Sequence, residues 1–258
     1  MPDHTSLGHC IAAMCQIPVV YGEAEKNLQT AASAIAKAHE LGAQIAVLPE
    51  CFDLGWANPL AETLAEPIPG KRSEYLGALA KQYDMYIVAG LTERDGDKLY
   101  NTAVLIDNNG ALLIKHRKIG LLFDVEGQYS VGDRLNVAHT PLGCIGIDIC
   151  ADNTMGSIHL AHSLCRMGAD MILSPCAWAV PEEDLEKPYG ATWLKPYRLI
   201  CQTYGIAMVG VSCVGDVGAG AWEGWYNIGN SIAMGPSGKP LAILPFGKDA
   251  ECIQIIRI

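Results

Sequence analysis

Residues 27–50 read NLQTAASAIAKAHELGAQIAVLPE, and this stretch contains both kinds of element from which the fold is built. Its first part carries apolar side chains at the spacing of one helix face, namely Leu28, Ala31, Ala32, Ile35 and Ala38. That spacing predicts a helix that begins at Asn27 and ends at Gly42. The apolar run Ala43 to Leu48 has the length of a buried strand. The stretch therefore predicts a helix and then a strand, with Glu50 just past the carboxyl end of the strand.

The same alternation continues on both sides of this stretch. Further helices are predicted at residues 72–83, 157–167 and 192–204. Further strands are predicted at residues 10–15, 85–91, 99–106, 111–115, 136–139, 144–149, 170–173, 206–212, 231–234, 241–244 and 252–256. The Gly-rich segment 215–229 lacks a phosphate-loop ending and predicts a mobile surface loop beside the site or at a subunit contact. Alternating helices and strands, with no linker or repeat, predict one layered α/β domain over residues 1–258.

The composition excludes several classes of protein. Half of the residues are apolar and 18% are charged, which supports a large core without disulfides. A net charge of -10 argues against a nucleic-acid partner, and no apolar run is long enough to predict a membrane span. The segment Met1 to His9 carries no apolar signal region. Ten cysteines in a chain without a visible leader then predict free thiols in a reducing, cytoplasmic compartment.

Three residues whose side chains could take part in catalysis lie at the ends of predicted strands. Glu50 follows one strand, Lys118 lies just after the strand that ends near residue 115, and Cys150 ends another. Each has a plain structural interpretation: a solvated loop carboxylate, a surface basic cluster and an inert buried thiol, respectively. Together they supply a base, a cation and a nucleophile, which are the parts that acyl transfer through a thioester needs.

The position of Cys150 also predicts its reactivity. It stands between an apolar strand and the polar turn Ala151-Asp152-Asn153. We expect a thiol in this place to be exposed to a cleft, with its pKa lowered by nearby helix amides and by Lys118. Burial of Glu50, in contrast, should raise the pKa of that carboxyl and suit it to proton transfer near neutral pH.

The sequence resembles the nitrilase superfamily of carbon–nitrogen hydrolases. The motifs that carry the resemblance are Leu48-Pro49-Glu50, His116-Arg117-Lys118 and Cys150-Ala151-Asp152, in the order typical of the family. Gln16, Asn27, Gly168-Ala169-Asp170 and Asn230-Ser231 extend the resemblance over nearly the whole chain. It implies a four-layer α-β-β-α sandwich of two mixed sheets with helices on the outer faces. It also implies a homodimer or larger homo-oligomer, with no metal or organic cofactor.

What the resemblance implies for chemistry is hydrolysis of a small amide to a carboxylic acid and ammonia. The resemblance implies that Glu50 is the base and Cys150 the nucleophile. It also implies that the Lys118 ammonium stabilises the oxyanion. The stretch Glu126-Gly127-Gln128-Tyr129 resembles that of the aliphatic-amidase type, where such a Glu holds the Lys or the substrate nitrogen. The backbone N–H of Ala151 is an implied second oxyanion donor. Trp178 is a candidate for the pocket wall, and a packing role is equally compatible with the sequence.

Alternatives follow from departures and from other motifs. True nitrilases commonly carry Trp where this chain has Ala151, which favours an amide over a nitrile. The stretch 153–156 contains no Arg, which weakens an ω-amidase or N-carbamoyl hydrolase interpretation. A nitrilase, a carbamoyl hydrolase and a catalytically silent binding protein stay open. His159, His162 and Cys165 share one helix face and could in principle bind zinc, but an amphipathic packing face is the preferred interpretation, because spacing offers no fourth ligand.

Overall fold

The computed structural model describes residues 10–258, so the expectation about Met1 to His9 lies outside the described residues. The helices are α1 (Ala24–Glu40), α2 (Ala61–Leu64), α3 (Lys71–Tyr83), α4 (Phe123–Glu126), α5 (His159–Arg166) and α6 (Ala191–Tyr204). The strands are β1 (Ile11–Gln16), β2 (Ile45–Val47), β3 (Tyr86–Asp95), β4 (Lys98–Ile106), β5 (Leu112–Arg117), β6 (Val137–Thr140), β7 (Gly143–Ile147), β8 (Met171–Cys176), β9 (Ala179–Val180), β10 (Ala207–Ser212), β11 (Val214–Asp216), β12 (Tyr226–Ile228), β13 (Ile232–Met234), β14 (Pro240–Ile243) and β15 (Cys252–Arg257).

Two six-stranded mixed sheets form the centre of the structure. The first has the order β15-β1-β2-β3-β4-β5, and the second has the order β14-β13-β10-β8-β7-β6. In each sheet three neighbouring strands are parallel, β1-β2-β3 in the first and β7-β8-β10 in the second, and the remaining pairings are antiparallel. The parallel strands are connected through helices, as such pairings require.

The sheets pack face to face, and the helices cover their outer faces. Strand β1 shows this directly, because its side chains alternate between two cores. Met14 packs in the core between the sheets, whereas Ala13 packs in the outer core that also contains Ile35 of α1 and Leu76 of α3. Ile200 of α6 packs with the second sheet. The four-layer α-β-β-α sandwich expected from the resemblance is therefore confirmed.

Several predicted boundaries were wrong, including the end of β3, which continues to Asp95, and two of the differences have a clear local cause. Helix α1 begins at Ala24 rather than Asn27. Asn27 lies within the first turn of the helix. Its side chain forms hydrogen bonds of 2.7–3.0 Å with the backbone of Val20 and with the carbonyl of Asp53, and these bonds attach the helix to a loop. Strand β5 continues to Arg117 because its pairing with β4 extends to Thr102.

The prediction of a loop over segment 215–229 was wrong at the two ends of the segment, whereas residues 217–225 between them form no strand or helix. The segment contributes to β11 and contains β12, which pair with each other, and β12 also pairs with β9 in a three-stranded sheet. The glycines suggested a loop, but the pairing of β12 with β9 depends on a partner far away in the sequence.

Within residues 10–258 no helix is both long and apolar enough to cross a membrane.

The strand ends that carry Glu50, Lys118 and Cys150 meet at one side of the sandwich. The turn after β2 lies so close to β3 that a Cβ on Gly90 would stand 2.5 Å from the Cα of Glu50 and 2.7 Å from the carbonyl oxygen of Pro49. Only glycine leaves room for this approach. The turn that carries Glu50 therefore packs directly against the neighbouring strand β3 of the same sheet.

Candidate active site

Glu50 presents a fully buried carboxylate at the end of β2. Its Oε1 atom accepts hydrogen bonds from Lys118 Nζ and from Asn101 Nδ2, each at 2.7 Å. Its Oε2 atom is buried and has no hydrogen-bond partner among residues 10–258. Burial raises the pKa of Glu50 above its usual value, and the Lys118 charge only partly opposes that effect. One oxygen is therefore anchored, and the other remains available to accept a proton.

Lys118 lies immediately after β5 and is 1% exposed. Its ammonium donates to Glu50 Oε1 at 2.7 Å and to both carboxylate oxygens of Glu126 at 2.9 Å. Burial lowers the pKa of Lys118, but the two carboxylates outweigh it and hold that pKa well above the ordinary value. The ammonium therefore remains charged, since neutral Lys118 would leave two buried carboxylates without a counter-ion.

Glu126 ends the short helix α4 and is fully buried. Besides Lys118, its carboxylate accepts hydrogen bonds from the Trp56 indole N–H at 2.8 Å, from Asn101 Nδ2 at 3.0 Å and from the Leu122 N–H at 2.9 Å. Sequence reasoning missed Trp56 and Asn101. Asn101 offered a weak signal, because it is a polar residue within an apolar strand, whereas Trp56 in a loop offered none.

Cys150 occupies a strained turn directly after β7. Its φ is 43°, in the left-handed region, and it opens a one-turn 3₁₀ helix at Cys150–Asn153. The expectation of a cleft-exposed thiol with a lowered pKa was wrong. The residue is 6% exposed, and burial, together with Cys176 and Glu50, raises its thiol pKa well above normal, which the Lys118 charge does not reverse. The resting sulfur is therefore a protonated thiol that needs a base.

Asp152 connects the strand end that carries Lys118 to the one that carries Cys150. Its Oδ1 atom accepts the N–H groups of Ile119 and Gly120, at 3.1 and 2.6 Å. Its Oδ2 atom is 2.9 Å from the His116 ring and accepts the Ile149 N–H at 3.0 Å. Burial raises the pKa of Asp152, but His116 and the backbone donors outweigh it and lower that pKa below its ordinary value. An ionised Asp152 therefore holds the two segments in register.

The two remaining predicted residues lie on the Cys150 side. Ala151 is buried within the 3₁₀ turn. Trp178 is 1% exposed, packs in the same core as Cys150, and stacks on Trp193 with ring centroids 5.0 Å apart. The ring centroid of Tyr189 lies 6.3 Å from that of Trp178, and burial raises the pKa of this tyrosine. The surroundings of the thiol thus include an aromatic cluster.

The candidate zinc face does not come together with other ligands. His162 Nδ1 lies 2.9 Å from the Tyr204 hydroxyl, and His159 is exposed. Across the part of the chain that the structure describes, no group of three or more His, Cys, Asp or Glu side chains could hold a metal ion. The aromatic contact of His162 supports the packing interpretation of this helix face.

The chain is similar to proteins of one family over most of its length. A carbon-nitrogen hydrolase family model matches residues 11–257. The omega-amidase NIT2 of Xenopus tropicalis is 36% identical over 163 residues, which cover 59% of this chain and 58% of that protein. A nitrilase of Pyrococcus abyssi is 34% identical over 189 residues, 71% of each chain. The match thus spans less than two thirds of the length of the omega-amidase.

The fold also resembles solved structures. A double mutant of the amidase from Nesterenkonia sp. AN1, in complex with acrylamide, superposes with a TM-score of 0.81 at 21% identity, covering 97% of this chain and 90% of that one. At this identity the similarity concerns the fold. Because the family model extends over nearly the entire described chain, the protein belongs to the carbon-nitrogen hydrolases of the nitrilase superfamily.

Proposed function

We propose that this protein is an amidase that converts a small amide to a carboxylic acid and ammonia through a thioester on Cys150. The observation that carries the proposal is the buried ion cluster beside the thiol. Lys118 bridges Glu50 and Glu126, while the second carboxylate oxygen of Glu50 has no partner within the described chain. A fixed cation, a free proton acceptor and a thiol next to each other are the minimum that acyl transfer needs.

In the first step Glu50 accepts the proton of Cys150 while the sulfur attacks the carbonyl carbon. The raised pKa of the thiol disfavours a standing thiolate, so the proton transfer accompanies the attack. The raised pKa of Glu50 makes it a stronger base than an exposed carboxylate. The Lys118 ammonium and the Ala151 N–H stabilise the tetrahedral oxyanion, and one such donor is worth roughly 3–4 kcal/mol.

In the second step the carbon–nitrogen bond breaks and Glu50 returns its proton to the nitrogen, which leaves as ammonia. The acyl group then remains on the Cys150 sulfur. Water attacks this thioester, with Glu50 accepting one proton and returning it to the sulfur as the acid leaves. Glu126 keeps the Lys118 ammonium in place through two hydrogen bonds of 2.9 Å during both steps.

The experiment that tests this proposal compares ammonia release with a covalent adduct on the same samples. Purified protein is incubated with a panel of small amides, nitriles and N-carbamoyl compounds, and ammonia and carbon dioxide are measured. We expect ammonia from uncharged amides without carbon dioxide. Quenched samples should contain one acyl group, and peptide mass spectrometry should locate it on Cys150.

A matched pair of cysteine variants separates the nucleophile from the other thiols. Cys150→Ala should abolish ammonia release and the adduct while the circular dichroism spectrum stays that of the parent. Cys201→Ala serves as the control, because its buried thiol lies on α6 and donates to the Met234 carbonyl of β13 instead. Ammonia release that persists in Cys150→Ala would exclude covalent catalysis by this residue.

A nitrile substrate is the second candidate, because the Pyrococcus abyssi relative that covers 71% of this chain is named a nitrilase. The same panel decides between them, since a nitrilase releases ammonia from nitriles faster than from the matched amides. An omega-amidase preference would appear as faster hydrolysis of amides that carry a carboxylate at the other end of the molecule. A catalytically silent binding protein would leave all compounds unchanged.

Self-association of the chain stays a prediction, which sedimentation velocity tests.

A further inference from the structure

A further buried carboxylate, Asp148, lies two residues before Cys150, and the mechanism above does not use it. Asp148 follows β7 directly and is fully buried. Its Oδ1 atom accepts a hydrogen bond of 2.6 Å from Asn153 Nδ2. Its Oδ2 atom has no hydrogen-bond partner in the described range. A carboxylate with half of its acceptors unused is costly inside a protein, so its presence calls for a role.

A chain of hydrogen bonds leads from this carboxylate to the backbone of the nucleophile. Asn153 Nδ2 also approaches Ser174 Oγ at 3.1 Å. Ser174 Oγ in turn accepts the backbone N–H of Cys150 at 3.1 Å. Asp148, Asn153 and Ser174 are each no more than 1% exposed, so bulk water does not compete for these bonds. The turn that carries Cys150 is therefore fastened to β8 through these side chains.

We propose that Asp148 is a positioning residue whose ionised carboxylate orients Asn153 and Ser174, which hold the Cys150 turn in its reactive geometry. Ser174 Oγ already receives two N–H donors, so its own hydrogen must point to another acceptor. We infer that the Ser174 hydroxyl turns toward the free oxygen of the Asp148 carboxylate, and the Ser174 and Asn153 side chains both lower the pKa of Asp148. A protonated Asp148 would be a donor itself and would compete with this arrangement.

Burial and the neighbouring charges bring the pKa of Asp148 into the pH range in which most enzymes are active. Burial raises the pKa of Asp148 to about 7, and the neighbouring Asp152 carboxylate adds to the rise. The groups that face it are Asp152 in the turn, His116 of β5, Ser174 of β8, Cys165 of α5 and Tyr197 of α6. Of these, the His116 charge and the Ser174 hydrogen bond lower the pKa.

The kinetic consequence rests on the proposed function. Both Glu50 and Asp148 must be ionised for turnover, so the acid limb of kcat/KM against pH should approach a slope of two. Asp148→Asn keeps the shape but presents an NH₂ donor to its neighbours. We expect its acid limb to fall to a slope of one, and its kcat to drop by roughly 10- to 100-fold with little change in KM, the scale of a misplaced reacting group.

Two further variants define the result. Ser174→Ala removes the acceptor of the Cys150 N–H and should reproduce the loss in kcat. Asp170→Asn is the control, because that carboxylate accepts the Cys144 N–H at 2.8 Å at the opposite end of β7. Its slope and kcat should match the parent. An Asp148→Asn protein that retains the parental slope and kcat overturns the inference.

A stability measurement separates positioning from ordinary packing. Because the folded-state pKa of Asp148 is raised, its contribution to stability is present at low pH and is lost as pH rises through about 7. Asp148→Asn should therefore raise Tm at pH 8.5 relative to the parent while it lowers turnover. A side chain that only supported the fold would lower both, and that outcome contradicts the proposal.

An alkylation experiment tests this inference independently of the proposed function, because it does not require the protein to hydrolyse a substrate. Iodoacetamide alkylates Cys150, and peptide mass spectrometry gives its rate between pH 5.5 and 9. We expect slower alkylation and a shallower pH dependence in Asp148→Asn than in the parent. If the parent hydrolyses no compound of the panel, the proposed function fails, and the alkylation rates still decide the role of Asp148. Identical rates in both proteins would refute it.

Discussion

Arg117 and Lys118 are consecutive residues at the end of β5, yet they enter two very different ion clusters. Lys118 lies in the buried cluster, which consists of Glu50, Lys118 and Glu126, with each side chain at most 1% exposed. Arg117 lies in what we call the rim cluster, which consists of Glu93, Asp95, Lys115 and Arg117. There the Lys115 side chain is 32% exposed and that of Asp95 is 61% exposed.

The two clusters differ in the sign of the pKa shift on their central carboxylates. Burial raises the pKa of Glu50, and one ammonium shared with Glu126 does not reverse this. Burial also raises the pKa of Glu93, but hydrogen bonds from Arg117 and Lys115 outweigh it and lower that pKa. The rim cluster has two cations for Glu93 and is built to keep it ionised. The buried cluster has one cation for two carboxylates and leaves one of them able to take a proton.

The largest expected effect distinguishes the two cations. Lys118→Met leaves two buried carboxylates without a counter-ion, and removing one partner of a buried pair costs about 3–5 kcal/mol. Loss of the oxyanion cation should lower kcat by at least about 100-fold. Arg117→Met should cost about 1 kcal/mol, because Lys115 still pairs Glu93 at 2.7 Å, and should leave kcat unchanged. Urea unfolding and ammonia release measure both; equal losses in the two variants would contradict the comparison.

A pH series on the central carboxylates should give effects of opposite sign. The raised pKa of Glu50 means that its stabilising contribution is present at low pH and is lost as pH rises through the folded-state pKa. The lowered pKa of Glu93 means that its contribution is present at neutral pH and is lost as pH falls. Relative to the parent, Glu50→Gln should therefore gain Tm as pH rises from 4 to 8, and Glu93→Gln should lose it. Parallel pH trends would show that the clusters do not differ in this way.

The smallest expected effect concerns the outermost member of the rim cluster. Hydrogen bonding to Arg117, at 2.6 Å, and the Arg117 charge lower the pKa of Asp95. Water and salt screen such an exposed pair, so its contribution should be close to zero. Asp95→Asn should leave kcat/KM at the parental value and Tm within experimental scatter, with no added response to 0.5 M salt relative to the parent. A clear loss of turnover would connect the rim to the buried cluster.

Much of the architecture could be predicted because its determinants are local. The i, i+3, i+4 spacing in α1 and the apolar runs of β2 and β7 reflect which face of each element is buried. The stretch Asp107-Asn108-Asn109-Gly110 is another local signal, because such a turn sequence favours a hairpin, and it connects the paired strands β4 and β5. The Asp95-Gly96 dipeptide is a local signal of the same kind for the β3–β4 hairpin. The boundaries and the small sheet of β9, β11 and β12 depended on partners that no local window contains.

The sequence by itself determined the alternation of helices and strands and the strand ends at which Glu50, Lys118 and Cys150 lie, because periodicity and turn chemistry act over a few residues. Only the tertiary structure decided that the Glu50 and Lys118 side chains meet, across 68 positions of chain. It also decided that Cys150 is buried with a raised pKa, that Trp56 and Asn101 bond to the buried cluster, and that Asp148 bonds to Asn153. Desolvation and ion pairing depend on what covers a residue, and the covering atoms come from distant segments.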